Sequence, residues 1–421
     1  MDIRIEPAPL FGRVRVPSSK SVTHRELIAS ALAEGETILE GVTVSEDIEA
    51  TIRILGQLGA VIGPAGNGRL SIRGGLKQSV VPLSCDAGES GSTLRFLIPL
   101  GLLSGNAVTW TGRGRLSQRP LTPYYGLFRE KNISFATSGG LPLMVEGKLE
   151  SGAYGLPGDV SSQFFTGLLF ALPLLDGDSL LKSTTPLESK SYVDLTVDAL
   201  RRHGITVFEK EDAYEVPGGQ SYRAGHFSVE GDASQAAFWL AAGICGGSVT
   251  CEGLSSDSRQ GDRVIISLLQ KMGASVTAEK EGVTASKSET KGIVIDAADC
   301  PDLVPVLAVL AAVSEGRTEI IRAGRVRLKE CDRLHAMKEE LTRLGAEVKE
   351  KPDGLVIDGK KELRGGTVSS WNDHRIAMAL ASVSSKCTGP LIIQGAEAVR
   401  KSYPSFWEEF RRLGGNHVSE K

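Results

Sequence analysis

Leu344-Gly345-Ala346-Glu347-Val348 reads as a helix that ends in leucine, turns through glycine and enters a strand. Glycine takes left-handed backbone angles without the clash of a Cβ, so it is the usual residue just past a helix end. The same phrase recurs as Leu58-Gly59-Ala60-Val61, His203-Gly204-Ile205-Thr206-Val207, Met272-Gly273-Ala274-Ser275-Val276 and Leu413-Gly414-Gly415. Lys131-Asn132-Ile133 fills the remaining slot, asparagine being the second choice for such a cap. The steps from Gly59 onward are 73, 72, 69, 72 and 69 residues. A period near 70, six times over, accounts for the 421 residues.

A second, far more apolar helix recurs on the same period, each copy preceded by a capping residue type. Ser19 and Ser21 precede His24–Ala33, Ser90 and Ser92 precede Leu94–Leu103, and Ser161 and Ser162 precede Phe164–Leu175. Asp232 and Ser234 precede Ala236–Cys245, Asp302 precedes Leu303–Val313, and Asn372 and Asp373 precede Ile376–Val383. Side-chain oxygens there accept from the first unpaired helix N–H groups. A helix apolar all round belongs inside a domain. A short strand follows each, such as Thr37–Glu40 or Thr318–Arg322, then a charged loop and an amphipathic helix.

The repeat therefore reads strand–helix–strand–helix–strand–strand. The sixth copy is expected to stop after its second helix, with its missing strands supplied by Ile3–Ile5 and Gly12–Val16. Three repeats per domain give two domains of ordinary size. The expected division is residues 1–16 plus 229–421 for repeats 4–6, and residues 17–228 for repeats 1–3.

With 41% hydrophobic residues the chain can bury sizeable cores, and a net charge of −3 leaves no footprint for nucleic acid. The six cysteines are scattered, with no CxxC, which fits a reducing cytoplasm and implies no zinc site. Met1–Glu6 has no apolar signal core, and no apolar run is long enough for a bilayer. No phosphate loop, HExxH or nucleophile elbow is present.

Chemically able residues gather at the start of the apolar helices and in the loops before the amphipathic ones. The first group is Lys20, Ser21, Arg25, Arg95, Ser161, Ser162, Gln163, Asp302, His374 and Arg375; the second is Arg115, Arg119, Ser189, Tyr192, Lys329, Glu330, Arg333 and Lys401. Helix starts favour anions. If the repeats fold alike, these cations are aimed at one cleft between the domains, a device for steering small anions. In Leu328–Leu334, Lys329, Asp332 and Arg333 are spaced to share one side of a helix start.

Five motifs resemble the EPSP synthase family, in the family's order along the whole chain. They are Pro17–Arg25, Arg115–Pro120, Val160–Phe164, Lys329–Leu334 and Asn372–Met378. The resemblance implies an inside-out α/β barrel in each of two domains, each of three βαβαββ repeats with buried helices and outer sheets. It implies transfer of the enolpyruvyl group of phosphoenolpyruvate to the 5-hydroxyl of shikimate 3-phosphate, with phosphate released and no cofactor or metal. Shikimate 3-phosphate would meet Lys20, Ser21, Arg25, Ser161, Ser162, Gln163, Ser189, Tyr192, Asp302 and Lys329. Phosphoenolpyruvate would meet Lys20, Gly91, Arg119, Gln163, Arg333, Arg375 and Lys401. Asp302 would be the base and Glu330 the proton donor, with Lys20 and His374 in support. A monomer acting on small molecules, inhibited by glyphosate, with no nucleic-acid or membrane partner, is implied.

Departures from the family pattern stand at Glu89, Ser92, Phe96, Ser191 and Arg325; Glu89 is expected to turn away from the site or pair with a cation. The sister transferase that acts on UDP-N-acetylglucosamine usually carries a reactive cysteine in the second-repeat loop. Gly112–Pro120 has none, and Lys20 is followed by serine rather than asparagine. A non-catalytic repeat protein would leave Lys20, Asp302, Glu330 and Arg375 free to vary, yet all four are present.

Overall fold

In a computed structural model, residues 1–66, 68–75 and 82–420 are described. They form two compact units, Met1–Pro17 with Glu230–Lys421, and Ser18–Val229. Each unit has three four-stranded sheets and its own core.

The local reading of the repeat holds. Gly59, Gly204, Gly273, Gly345 and Gly414 have φ between +80 and +115°, and Asn132 has φ 55°. The apolar helices are Lys20–Leu32, Gly91–Gly101, Gln163–Ala171, Ala233–Gly246, Val304–Ala312 and His374–Ser382. Every residue of Val304–Ala312 is buried. The strands alternate buried and exposed side chains, so each sheet puts one face on its helices and the other on solvent. Truncating a core leucine such as Leu307 would cost about 2–5 kcal/mol.

Capping follows expectation at four helices. Ser19, Ser90, Asp232 and Asp373 each accept from a first-turn N–H. At the third, Ser162 occupies the cap position without such a bond, and Ser161 Oγ accepts from Gln163 N. Asp302 departs: it sits in the 3-10 turn Pro301–Leu303, and the cap positions there fall to Cys300 and Leu303. Its carboxylate is drawn to side chains instead.

The strand bookkeeping also needs correction. The sixth sheet has its own last strand, Asn416–Glu420, and only Asp2–Glu6 joins it from the chain start, antiparallel to Leu391–Gln394 and Asn416–Glu420. Phe11–Arg15 pairs in parallel with Ser248–Glu252, making it the first strand of the fourth repeat. His226–Ser228 pairs in parallel with Glu36–Glu40, so the first repeat draws its opening strand from nearly 200 residues later. Sequence periodicity cannot see such an exchange, because a strand's pattern does not name its partner.

Candidate active site

In Ser18–Val229 the predicted residues gather near four helix starts, those of Lys20–Leu32, Gly91–Gly101, Gln163–Ala171 and Lys190–Arg202. Arg25 lies one turn into Lys20–Leu32 and is buried, at 2% exposure. Its Nε donates to Thr196 Oγ1 (2.9 Å), Nη1 to the Ser21 carbonyl (2.6 Å) and Nη2 to the Tyr192 carbonyl (2.7 Å). It also lies 5.1 Å from the Phe96 ring centroid. Among the described residues no carboxylate pairs with it, and burial pushes its guanidinium down to about 9. A buried cation served only by neutral oxygens is a place for an anion. Lys20 Nζ donates to Asp47 Oδ2 at 2.8 Å. His24 is buried and bonded through Nδ1 to Thr51; burial, with Lys20 and Arg25 close by, holds the ring well below its usual value, hence neutral.

Gln163 opens its helix under tight constraint. Arg95 Nη1 donates to its Oε1 at 2.7 Å, and its Nε2 donates to Ser92 Oγ at 2.8 Å. The amide is thereby oriented, with one Nε2 hydrogen left over. Gly91 begins the neighbouring helix, and a Cβ there would come within 2.6 Å of Arg119 Nη1. Glu89, the unexpected acid, has its carboxyl against Gly114: a Cβ on that glycine would lie 2.8 Å from Glu89 Cδ. Ser189, at φ 53°, starts Lys190–Arg202, with the Tyr192 backbone N–H donating to its carbonyl.

The other unit gathers Asp302, Lys329, Glu330, Arg333 and Arg375 into one network. Arg333 is buried at 1% exposure and meets three carboxylates. Nε donates to Asp373 Oδ2 (2.8 Å), Nη1 to Asp302 Oδ1 (2.9 Å) and Nη2 to Glu330 Oε2 (2.7 Å). Asp302 further receives Arg375 Nη2 at 2.9 Å and lies 3.4 Å from Lys329 Nζ. Burial alone would raise the Asp302 carboxyl, but Arg375, Lys329 and Arg333 outweigh it and hold it well below the usual carboxylate range. Burial likewise works against the Arg333 charge, and Asp373, Glu330 and Asp302 more than restore it. Lys401 Nζ donates to the Asn372 carbonyl at 2.7 Å, and His374 is buried beside Asp373.

Asp332 and Arg333 do not share one side as their spacing suggested. Asp332 caps Arg333–Arg343 through His335 N and pairs with Arg327, while Arg333 turns into the core. Arg325 donates to the Ala298 carbonyl at 2.9 Å. Sequence reasoning gave Asp373 only a capping role and passed over Asp47 as a partner. Nothing local marks an acid as the mate of a cation 27 or 40 residues away. All six cysteines are buried and free, and no group of three or more His, Cys, Asp or Glu suited to a metal occurs among the described residues.

Six helix-and-sheet repeats in two units, with carboxylates and many cations near helix starts, agree with the enolpyruvyl transferase class of α/β enzymes, as the comparisons with known proteins show. A family model for EPSP synthase (3-phosphoshikimate 1-carboxyvinyltransferase) matches residues 5–410. Relatives carrying that enzyme name include one from Clostridium kluyveri, 53% identical over 98% of this chain and 97% of its own. Another, from Clostridium novyi, is 48% identical over 98% of each. A solved EPSP synthase from Acinetobacter baumannii is 28% identical, with a TM-score of 0.83 over 99% of this chain and 100% of that one. The chain belongs to the EPSP synthase family, transferases of the shikimate pathway.

Proposed function

We propose that both residue groups serve one reaction: transfer of the enolpyruvyl group of phosphoenolpyruvate to the 5-hydroxyl of shikimate 3-phosphate. The reaction needs a proton on the methylene carbon, a proton removed from the attacking hydroxyl, and expulsion of phosphate from a tetrahedral intermediate with loss of a methyl proton, which restores the double bond. Glu330 supplies the first proton and Asp302 accepts the second, with Lys20 and His374 in support. Each such transfer is typically worth about 10²–10⁴ in rate. Arg25, Ser21, Ser161, Ser162, Ser189, Tyr192 and Lys329 hold shikimate 3-phosphate. Arg119, Arg333, Arg375, Lys401 and the Gly91 backbone hold phosphoenolpyruvate, and Lys20 and Gln163 touch both. Fixed cations lower the barrier because charge develops where they already point.

The observation that carries this reading is the single guanidinium of Arg333, bonded at once to the base and to the acid. An arriving substrate carboxylate competes for that guanidinium. Asp302 then loses part of the charge that suppresses its basicity, and Glu330 is released to carry a proton. Glyphosate occupies the phosphoenolpyruvate site beside Gly91. The enzyme works as a cytoplasmic monomer, without metal or cofactor; no helix among the described residues is long and apolar enough to cross a membrane.

The test is phosphate release from phosphoenolpyruvate in chelator, with shikimate 3-phosphate, with UDP-N-acetylglucosamine, or with neither. Release with shikimate 3-phosphate alone is expected. Release with the nucleotide sugar alone would assign the sister reaction.

A further inference from the structure

Trp371 and Asn372, the two residues before the cap of His374–Ser382, are both left-handed, with φ 54 and 53°. That region is tolerated by asparagine but is unfavourable for most residues with a Cβ, and for a bulky one such as Trp371 especially. Such a conformation persists only where its surroundings enforce it, and it clusters at functional sites.

The enforcement comes from Glu340, one carboxylate on the helix Arg333–Arg343. Glu340 is buried at 1% exposure. Its Oε1 accepts from Trp371 Nε1 at 2.7 Å and its Oε2 from Ser369 N at 3.2 Å. Its one nearby cation among the described residues, Arg343, is exposed and 3.7 Å away, too loose to account for the burial. Trp371 N and Asn372 N donate to Ser369 Oγ and Ser370 Oγ, closing the turn from the other side.

What the turn delivers is the anion-binding set. The Asn372 carbonyl takes Lys401 Nζ, and Asp373 takes Arg333 Nε through its side chain. Arg375 follows two residues on, its N–H on Asp373 Oδ1. Three cations are therefore placed by one strained turn.

We propose that Glu340 is a positioning residue: by pinning Trp371 in the left-handed conformation it sets Lys401, Arg333 and Arg375 for phosphoenolpyruvate. The inference rests on the assignment of those cations to that substrate. It assigns function to two residues that touch no reacting atom.

The test compares Glu340→Ala, Trp371→Ala and Trp371→Gly with the parent enzyme, reading KM for each substrate, kcat and thermal stability. Glu340→Ala and Trp371→Ala are expected to raise KM for phosphoenolpyruvate about tenfold, or about 1.4 kcal/mol. KM for shikimate 3-phosphate should stay within about twofold. Glycine takes positive φ without strain, so Trp371→Gly should stay near the parent value although it loses the same indole. Equal KM increases in Trp371→Ala and Trp371→Gly would mean that the ring, not the backbone, matters, and would overturn the proposal. So would unchanged KM in Glu340→Ala. Lys401→Ala is the control for the assignment beneath: if it leaves phosphoenolpyruvate KM unchanged, the substrate reading has failed rather than the role of Glu340.

Discussion

Replacing Arg25 by methionine separates what this guanidinium costs the fold from what it does for binding. Burial moves Arg25 from 12.5 down to about 9. Each factor of ten in acidity is worth about 1.36 kcal/mol, so holding the charge at neutral pH costs the unliganded fold on the order of 5 kcal/mol. Methionine fills much of the same volume without the charge. It forfeits the bonds to Thr196, Ser21 and Tyr192 and the contact with Phe96. Thr166 and Thr196 keep their mutual bond at 2.8 Å, and Thr196 keeps the Tyr192 carbonyl, so that loss is about 3 kcal/mol. The variant should therefore be as stable as the parent or more stable by about 2 kcal/mol, whereas most substitutions at buried sites destabilise. The assay is urea denaturation with and without shikimate 3-phosphate. The ligand should stabilise the parent and not the variant. A variant several kcal/mol less stable than the parent, or one still stabilised by the ligand, would refute the reasoning.

Asp302→Asn should lower kcat about 10²–10⁴-fold in the phosphate-release assay while the protein remains folded. Gly91→Ala puts a methyl where Arg119 Nη1 would be only 2.6 Å away; Arg119 must shift, so KM for phosphoenolpyruvate and the inhibitory concentration of glyphosate should both rise about tenfold. Arg119→Lys keeps the charge but loses the two-pronged fork, and its KM for phosphoenolpyruvate should rise by a similar factor, about 1–2 kcal/mol. Glu26 is fully buried between His203 Nε2 at 3.1 Å and Arg202 Nη1 at 2.9 Å. Glu26→Gln should cost about 1–3 kcal/mol in chemical denaturation, because it removes the charge facing the exposed Arg202 and leaves the buried His203 beside an amide rather than a carboxylate.

The chain by itself determined what depends on near neighbours. A glycine between the last apolar residue of an amphipathic helix and a following strand marks a left-handed helix end, so the phrase around Gly345 and its echoes carried the period and the six repeats. Serine or aspartate before an apolar run marks a helix start, which placed Lys20, Gln163 and Arg375 at the heads of buried helices. Motif order then carried the family. The tertiary structure alone decided pairings between distant residues. Phe11–Arg15 could have joined any sheet by its alternation, and its parallel register with Ser248–Glu252 comes from packing. Asp302 looked like a cap and is instead the meeting point of Arg333 and Arg375, the latter 73 residues away. Trp371 has nothing in its sequence to announce a positive φ; Glu340, 31 residues earlier, imposes it. Backbone preference acts over a few residues and is written locally. A buried charge takes whichever partner the folded chain brings within about 3 Å, and no spacing rule records that.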